Sequence, residues 1–195
     1  MSFAGEVKAE LCRGKLGRKC CAQAEACGVL LYCNRFSLSE VKIVTESPAF
    51  AQRLPGLFRK AFGVEFDEKG DPDTPGKRIF TIFAPEKLAL LWELGMLEET
   101  HCRLAFLRGA FLAGGSVTDP QKGYHLELAT PHLRVSRELD TLLLELGYAP
   151  KETTRKANYI AYFKQSERIE DFLTAIGAPL AAMEIMNAKL EKNLR

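Results

Sequence analysis

The chain lacks any apolar run of the roughly 20 residues that a membrane-spanning helix needs. Its amino terminus also lacks the basic, apolar and small-residue order of a signal peptide. These two absences disfavour a membrane protein and a secreted protein, and we expect the chain to be cytoplasmic.

Metal-ligand spacing is missing as well. No CxxC pair occurs, and the histidines His101, His125 and His132 are scattered along the chain, whereas zinc sites typically use closely spaced ligand pairs. Six cysteines are present: Cys12, Cys20, Cys21, Cys27, Cys33 and Cys102. In a reducing compartment they are expected to be free thiols. Zinc binding is the alternative, but the spacing favours a chain without metal or cofactor.

Charge of one sign is not in excess. The 27 basic residues face 25 acidic ones, which leaves a net charge of +2. This balance implies no polyanionic partner by itself, so any nucleic-acid surface has to be a local patch. What the chain does have is 195 residues with 47% hydrophobic content, enough to bury a core in one large domain or two small, closely packed ones.

The hydrophobic pattern predicts the same order of helices and strands twice. In the first half, helices at 21–33 and 49–62 flank a strand at 37–45, and a hairpin of 64–66 with 78–83 precedes a helix at 85–94. The second half repeats this order: a helix at 101–113, a strand at 124–130, a helix at 131–146, a hairpin of 148–153 with 158–163, and a helix at 167–176. Glycines close several of these helices, as helix ends commonly require.

Glycines at matching places in the two halves measure the duplication. The three pairs are Gly28 with Gly109, Gly63 with Gly147, and Gly95 with Gly177, separated by 81, 84 and 82 residues. Nearly equal offsets indicate two copies of one mixed α/β unit related by a pseudo-two-fold axis. We assign residues 1–99 to the first copy with an N-terminal extension, and residues 100–195 to the second copy with a C-terminal helical stretch.

Small residues predict where the two copies meet. Ala105, Gly109 and Ala113 recur at every fourth position and therefore share one helix face. Ala24 and Gly28 offer the same flat face in the first copy. A glycine inside a helix costs about 1 kcal/mol, so its use at both equivalent positions favours a close helix crossing over a general fit to the core.

Several motifs resemble known families. The segment 105–117, AFLRGAFLAGGSV, resembles the signature helix of the LAGLIDADG homing endonucleases. The apolar and small positions of that pattern fall at Leu107, Gly109, Phe111, Ala113 and Gly115. The segments SFAGEVKAEL at 2–11, CCAQAE at 20–25 and YHLEL at 124–128 are similar to the WhiA sporulation-regulator family. The resemblance covers essentially the whole chain.

The resemblance implies an α+β fold of the LAGLIDADG homing-endonuclease type, with two pseudo-symmetric α/β repeats packed through paired central helices. It also implies a DNA-binding transcription regulator, associated with the nucleoid, that acts in sporulation, cell division and chromosome segregation. Members of the family carry a C-terminal helix-turn-helix domain. The chain ends at Arg195, so we expect either an excised amino-terminal domain or the loss of that DNA reader.

The same comparison argues against catalysis. Magnesium-dependent cleavage of a phosphodiester needs oxygen ligands, and nucleases of this fold place one carboxylate at the end of each signature helix. Those positions correspond to Cys33 and Gly114 here, and neither side chain is a carboxylate. The nearest downstream acid, Asp119, precedes Pro120 and is expected to form a turn. No catalytic residue, metal or enzyme activity is therefore expected.

Exposed strand residues are the first candidates for DNA contact, because the sheets of the parent fold form a saddle over the duplex. The basic candidates on strands and hairpins are Lys42, Lys77, Arg78, Lys151, Arg155 and Lys156. Glu40 and Glu127 also lie on strands and would repel phosphates. A denser patch, Arg13, Lys15, Arg18 and Lys19, is expected on a loop made mobile by Gly14 and Gly17. Each of these residues is otherwise an ordinary solvated side chain.

Two functional classes remain open. The domain is a scaffold that binds duplex DNA weakly and leaves sequence reading to the C-terminal domain, or it is a protein-interaction module that kept the fold without binding DNA. The near-neutral charge favours the second class for this chain alone, and the family resemblance favours the first for the whole protein. A small-molecule sensor is disfavoured because no phosphate-binding loop or cofactor motif occurs.

Overall fold

The computed structural model describes residues 1–83, 85, 86, 88 and 97–195. The helices are α1 (Phe3–Arg13), α2 (Lys19–Tyr32), α3 (Pro48–Phe62), α4 (Thr100–Gly114), α5 (Leu133–Glu145), α6 (Ser166–Ile176) and α7 (Pro179–Asn193). The strands are β1 (Arg35–Phe36), β2 (Glu40–Thr45), β3 (Arg78–Phe83), β4 (Gly115–Val117), β5 (Leu126–Thr130), β6 (Lys151–Arg155) and β7 (Asn158–Phe163). No helix in these ranges is long and apolar enough to cross a membrane.

Contacts divide the chain into two compact units. The continuous unit is Lys15–Gly114, and the split unit joins Met1–Gly14 to Gly115–Arg195. The division into sequence repeats at 1–99 and 100–195 falls elsewhere, because α4 belongs to the compact unit that also holds α2. The boundary between residues 99 and 100 therefore remains a prediction about a duplicated sequence, and it does not coincide with the limits of the compact units.

In the continuous unit, α3 shows how local sequence sets the ends of a helix. The Ser47 hydroxyl accepts a hydrogen bond from the Phe50 amide, and Pro48 occupies the first turn, where its missing N–H costs nothing. The helix ends at Gly63, whose φ of 64° is left-handed and favours glycine. Between these ends, Phe50, Leu54 and Phe58 are fully buried.

The continuous unit also holds an antiparallel sheet in the order β1-β2-β3. Alternation along β2 buries Val41, Ile43 and Thr45 on the side that faces the core. We call the opposite side of this sheet, and the equivalent side of the sheet in the split unit, its outer face. The strand that was predicted at 37–45 begins only at Glu40, because Ser37 forms a turn that bonds to Glu40.

One prediction for the continuous unit, a strand at 64–66, is wrong. The segment 64–66 does not pair with β3; instead a single bridge joins Glu68 to Thr81. Phe66 explains the shift, because its ring packs 4.8 Å from that of Phe58 and 5.3 Å from that of Phe80. Filling the core with this ring moves the strand pairing two residues downstream. The predicted helix at 85–94 and its end at Gly95 lie largely outside the described residues.

The split unit contains an antiparallel sheet in the order β4-β5-β7-β6. Helix α5 packs on β5 and β7, and Leu126, Leu128 and Phe163 lie on the buried side. Strands β6 and β7 form the predicted hairpin, and its turn places Lys156 at φ 56°. The predicted glycine ends are also present, since Gly147 and Gly177 both have left-handed φ values.

The two ends of the chain meet within the split unit. The Glu10 carboxylate on α1 accepts hydrogen bonds of 2.9 Å from the amides of Leu180 and Ala181 at the start of α7. Helix α7 has no side-chain cap from its own first residues, so a carboxylate from α1 satisfies two otherwise unpaired amides. This contact fixes α1 against α7.

Candidate functional site

The close packing of α2 against α4 is the structural centre of the continuous unit. A Cβ added to Gly28 would lie 2.1 Å from the Phe106 carbonyl oxygen, and one added to Gly109 would lie 1.9 Å from the Glu25 carbonyl oxygen. No real Cβ tolerates such distances, so the backbones touch directly at both glycines. Of the other small residues proposed for this interface, Ala24 and Ala105 are buried and Ala113 is half-buried.

Glu25 carries an ion cluster that sequence reasoning missed. Its carboxylate accepts hydrogen bonds from Arg53 Nε (2.8 Å) and Nη2 (3.0 Å) on α3, and from Arg108 Nη1 (3.2 Å) on α4. The side chains of Glu25 and Arg53 are only 2% and 5% exposed. Because a buried carboxylate is stable only when it is paired, this cluster holds three helices together. The spacing of residues near Glu25 does not predict this cluster, because Arg53 and Arg108 lie 28 and 83 residues away in the sequence.

The helix ends that would bear catalytic carboxylates have other chemistry. Cys33 directly follows α2, is buried, and donates from Sγ to the carbonyl oxygens of Leu30 and Arg35. Burial raises the pKa of the Cys33 thiol to about 12, so the sulfur stays neutral at physiological pH. Gly114 ends α4 and has no side chain. Neither position supplies an anionic oxygen to a divalent cation.

The nearest downstream acid, Asp119, forms a turn as expected. Its Oδ1 accepts a hydrogen bond from the Gln121 amide, and its carbonyl oxygen accepts from Lys122 and Gly123. This is the pattern of an aspartate that stabilises a tight turn.

The outer face of the sheet in the continuous unit is mixed in character. Lys42 is half-buried on β2 and lies opposite Arg35 and Thr81 in neighbouring strands. The Glu40 carboxylate lies 3.6 Å from Arg35, which reduces the positive charge. On β3, Ile79 and Phe83 are 43% and 53% exposed on the same face. Lys77, which precedes β3, is exposed.

Arg78 was predicted as a phosphate contact, and this prediction is wrong. The side chain is buried, and its guanidinium donates to the carbonyl oxygens of Asp71, Pro72, Glu46 and Gly76. Because these bonds hold the 71–76 loop to the start of β3, the charge does not reach a surface ligand.

The outer face of the sheet in the split unit is more basic. Lys151 and Lys156 on the β6–β7 hairpin are exposed. Arg155 is also exposed, but it forms two hydrogen bonds, of 2.8 and 3.3 Å, with the Glu127 carboxylate. Burial alone would raise the pKa of Glu127, but the bonds and charge of Arg155 lower it overall. Glu127 is thus an anion that neutralises Arg155.

Three further residues of this outer face were not predicted. The rings of His125 and Tyr162 stack with centroids 5.4 Å apart, and Lys164 lies 5.7 Å from the centre of the Tyr162 ring. The period-two alternation in YHLEL could have found His125, because it places that residue, which directly precedes β5, on the same side as Glu127.

The predicted basic patch falls in both units. Arg13 ends α1 in the split unit, whereas Lys15, Arg18 and Lys19 lie in the continuous unit at the start of α2. All four side chains are exposed. Gly17 has a left-handed φ of 71°, and its carbonyl oxygen accepts a hydrogen bond from Lys60 on α3. That bond ties the loop to the body of the continuous unit.

A cluster of sulfur and nitrogen ligands lies at the first turns of α2 and α4. The ligand atoms of Cys20, Cys21, His101 and Cys102 all lie within 4.8 Å of one another. Burial and the adjacent thiols of Cys20 and Cys21 raise the pKa of Cys102 to about 11. Although the histidines are scattered along the sequence, His101 lies beside three cysteines in the structure. The spacing along the chain does not show this cluster, because its two ligand pairs lie 81 residues apart on different helices.

Comparison with known proteins relates the chain to one family. The family described as the WhiA LAGLIDADG-like domain matches residues 103–195. The probable cell division protein WhiA of Ruminiclostridium cellulolyticum is 36% identical over 218 residues, which cover all of this chain and 70% of that protein. The probable cell division protein WhiA of Alkaliphilus oremlandii is 31% identical over 224 residues, with the same coverage.

Solved structures show the same fold. Full-length DUF199/WhiA from Thermatoga maritima superimposes with a TM-score of 0.82 at 22% identity, over 98% of this chain and 67% of that one. The homing endonuclease I-DmoI in complex with DNA and Mn superimposes with a TM-score of 0.59 at 16% identity, over 82% of this chain and 97% of that one. The predicted fold class, α+β of the LAGLIDADG homing-endonuclease type, is therefore confirmed.

Proposed function

The chain belongs to the WhiA family, and on this premise we propose that it is the non-catalytic LAGLIDADG-like domain of a DNA-binding transcription regulator. The processes proposed for that regulator are sporulation, cell division and chromosome segregation, with the protein at the nucleoid. Sequence-selective reading is assigned to a C-terminal helix-turn-helix domain. The LAGLIDADG-like domain supplies weak duplex contacts through its basic side chains.

The observation that supports the non-catalytic assignment is that α2 and α4 pack closely but have no carboxylate at Cys33 and Gly114. Gly28 and Gly109 preserve the close crossing of α2 and α4, whereas the ends of those helices bear the neutral thiol of Cys33 and the bare backbone of Gly114. A cation that bridges a scissile phosphate needs anionic oxygen ligands. The crossing thus has a structural role that does not depend on cleavage.

The exposed cations support contact with phosphates. On the split unit, Lys151, Lys156 and Lys164 lie on or beside the outer face of the sheet. On the continuous unit, Lys15, Arg18 and Lys19 add a basic segment before α2. Because lysine and arginine bind phosphate without reading the bases, binding through these groups is insensitive to sequence. The neutralisation of Arg155 by Glu127 and the burial of Arg78 keep this binding weak.

A protein-interaction module is the second candidate, and one observation favours it. Ile79 and Phe83 are exposed on the outer face of the continuous unit's sheet, and Val44 pairs with Ile79 on that face. Apolar side chains grouped on a surface indicate contact with a protein more than contact with phosphate.

Binding of fluorescent duplexes to the purified chain separates the two candidates. The DNA-contact proposal expects dissociation constants of about 10⁻⁴ to 10⁻⁶ M, equal for a random duplex and a genomic promoter fragment. A strong preference for the promoter would show that this domain reads bases and would contradict the assignment of reading to another domain. Absence of binding at low salt would favour the protein-interaction module.

A further inference from the structure

Two pairs of metal-ligating residues occupy equivalent turns of the two packed helices. Cys20 and Cys21 lie in the first turn of α2, and His101 and Cys102 lie in the first turn of α4. Each residue of the first pair precedes its counterpart by 81 residues, the same separation that relates Gly28 to Gly109. The pairs therefore belong to matching positions of the duplicated helix.

The geometry of the four side chains suits one small cation. His101 Nδ1 lies 3.4 Å from Cys21 Sγ and 3.3 Å from Cys102 Sγ, and all four ligand atoms lie within 4.8 Å of one another. With Zn–S near 2.3 Å and Zn–N near 2.0 Å, a tetrahedral site holds sulfur and nitrogen about 3.5 Å apart and two sulfurs about 3.8 Å apart. The two nitrogen–sulfur distances thus already lie within a few tenths of an ångström of the tetrahedral value.

We propose that Cys20, Cys21, His101 and Cys102 bind one Zn²⁺ ion. Three thiolates and an imidazole are ligands that zinc prefers, whereas magnesium and calcium prefer oxygen. Four protein ligands complete a tetrahedron and leave no position open for water or substrate, so the ion is structural. This site is distinct from the helix ends that bear the catalytic acids in nucleases of this fold.

The electrostatics of the helix ends favour the loaded site. Three thiolates and one Zn²⁺ leave a net charge of −1. The first turns of α2 and α4 present the partial positive charge of two helix N-termini, which stabilises an anionic group. Lys19, immediately before Cys20, adds a full positive charge nearby.

The consequence for the fold is a clamp between the two helices. Gly28 and Gly109 bring the backbones into contact in the middle of α2 and α4, and zinc would join the same helices at their first turns. The energy of metal binding adds to folding when the unfolded chain does not assemble the site. This role goes beyond the proposed DNA contact and holds whether or not the domain binds DNA.

Metal content of the purified chain tests the proposal. After expression with added zinc and removal of loosely bound metal by gel filtration, mass spectrometry is expected to find about one zinc ion per chain. Replacing zinc by Co²⁺ should give the thiolate charge-transfer band and the intense visible bands of a tetrahedral cobalt site. Competition with a chromophoric chelator should give a dissociation constant on the order of nanomolar or tighter.

Single substitutions assign the ligands. Cys20→Ser and Cys102→Ser should each lose most of the zinc, and Cys12→Ser, which removes a cysteine outside the cluster, should retain it. If the serine variants fail to fold, His101→Cys keeps four ligands. That variant should retain about one zinc ion per chain and show a stronger cobalt charge-transfer band, because a thiolate replaces the imidazole.

The contrary results are equally definite. A reduced chain that purifies without zinc and takes up neither Zn²⁺ nor Co²⁺ would overturn the proposal. So would a disulfide between cluster cysteines in protein kept under reducing conditions, or a Cys20→Ser, Cys102→Ser double variant that still binds zinc as the wild type does.

Discussion

The backbone of Gly109 on α4 lies against that of Glu25 on α2, so closely that a Cβ on Gly109 would come within 1.9 Å of the Glu25 carbonyl oxygen. The same residue, Glu25, pairs through its side chain with Arg53 and Arg108. A bare backbone contact and a buried ion cluster thus meet at one turn of α2.

Replacement of Gly109 by alanine is expected to destabilise the chain, because the added methyl group meets backbone atoms that cannot rotate away. Overpacking of this kind costs about 1 to 3 kcal/mol, and the urea midpoint should fall accordingly. Gly123→Ala is the matched control, since a Cβ there meets no atom within 4 Å. Equal midpoints for the two variants would show that the helices do not touch at Gly109.

Arg78→Gln is expected to lower stability and to leave DNA affinity nearly unchanged. The guanidinium is buried and bonds to four carbonyl oxygens, and loss of charged hydrogen bonds of this kind costs about 1.5 to 3 kcal/mol. Its exposed neighbour supplies the control, because Lys77→Gln should leave the urea midpoint unchanged. A stable Arg78→Gln protein with weakened DNA binding would restore Arg78 as a phosphate contact.

The outcomes at Arg78 and at the cysteine cluster show where sequence reasoning ends. Helices, hairpin and glycine caps were predictable because their signals are local: Ser47 and Gly63 mark α3, and the alternation along β2 marks its buried side. Arg78 is buried because its guanidinium bonds to backbone carbonyl oxygens, and the order of side chains in the sequence does not show where those oxygens lie. The convergence of Cys20 with His101 depends on helix packing between residues 81 positions apart, and the displacement of the 64–66 strand depends on the ring of Phe66 filling the core.

Stability is expected to fall as pH rises through the range set by Asp140. Burial, followed by the adjacent Glu152 carboxylate, raises the pKa of Asp140 to about 7 from 3.8. Between pH 3.8 and about 7 the folded chain holds a proton on Asp140 that the unfolded chain has released. The free energy of unfolding therefore falls as pH rises across this range, and the loss is complete once pH has passed the folded-state pKa.

The urea midpoint across this pH range measures the effect. Asp140→Asn removes the titrating group, and its midpoint should decline less steeply with pH than that of the wild type. Asp73→Asn, at an exposed position, should follow the wild-type curve. Parallel curves for wild type and Asp140→Asn would contradict a raised pKa at Asp140.

No magnesium- or manganese-dependent cleavage of duplex DNA is expected from the pure chain. Cys33 and Gly114 supply no carboxylate, and restoring both as Cys33→Asp with Gly114→Asp should still give no activity, because the supporting groups and the positioning of DNA are not restored with them. Plasmid nicking measured on gels checks both proteins. Divalent-dependent nicking by the wild type that persists through purification would overturn the non-catalytic assignment.

The salt dependence of DNA binding tests the central claim most directly, namely that exposed cations of this domain contact phosphates without reading sequence. Each phosphate contact contributes about 0.9 to the slope of log affinity against log salt. The Lys15→Gln/Arg18→Gln/Lys19→Gln variant should therefore bind more weakly at low salt and reduce the magnitude of that slope by up to about 2.7.

The control is Lys122→Gln/Arg134→Gln/Arg137→Gln. It removes the same charge from a turn and from α5, which packs on the opposite face of the split unit's sheet, and it should keep the wild-type slope. Fluorescence anisotropy with one random duplex across a salt series gives all three slopes. Identical slopes for the two variants would contradict the account, since affinity would then follow net charge and not contacts made by the basic segment before α2.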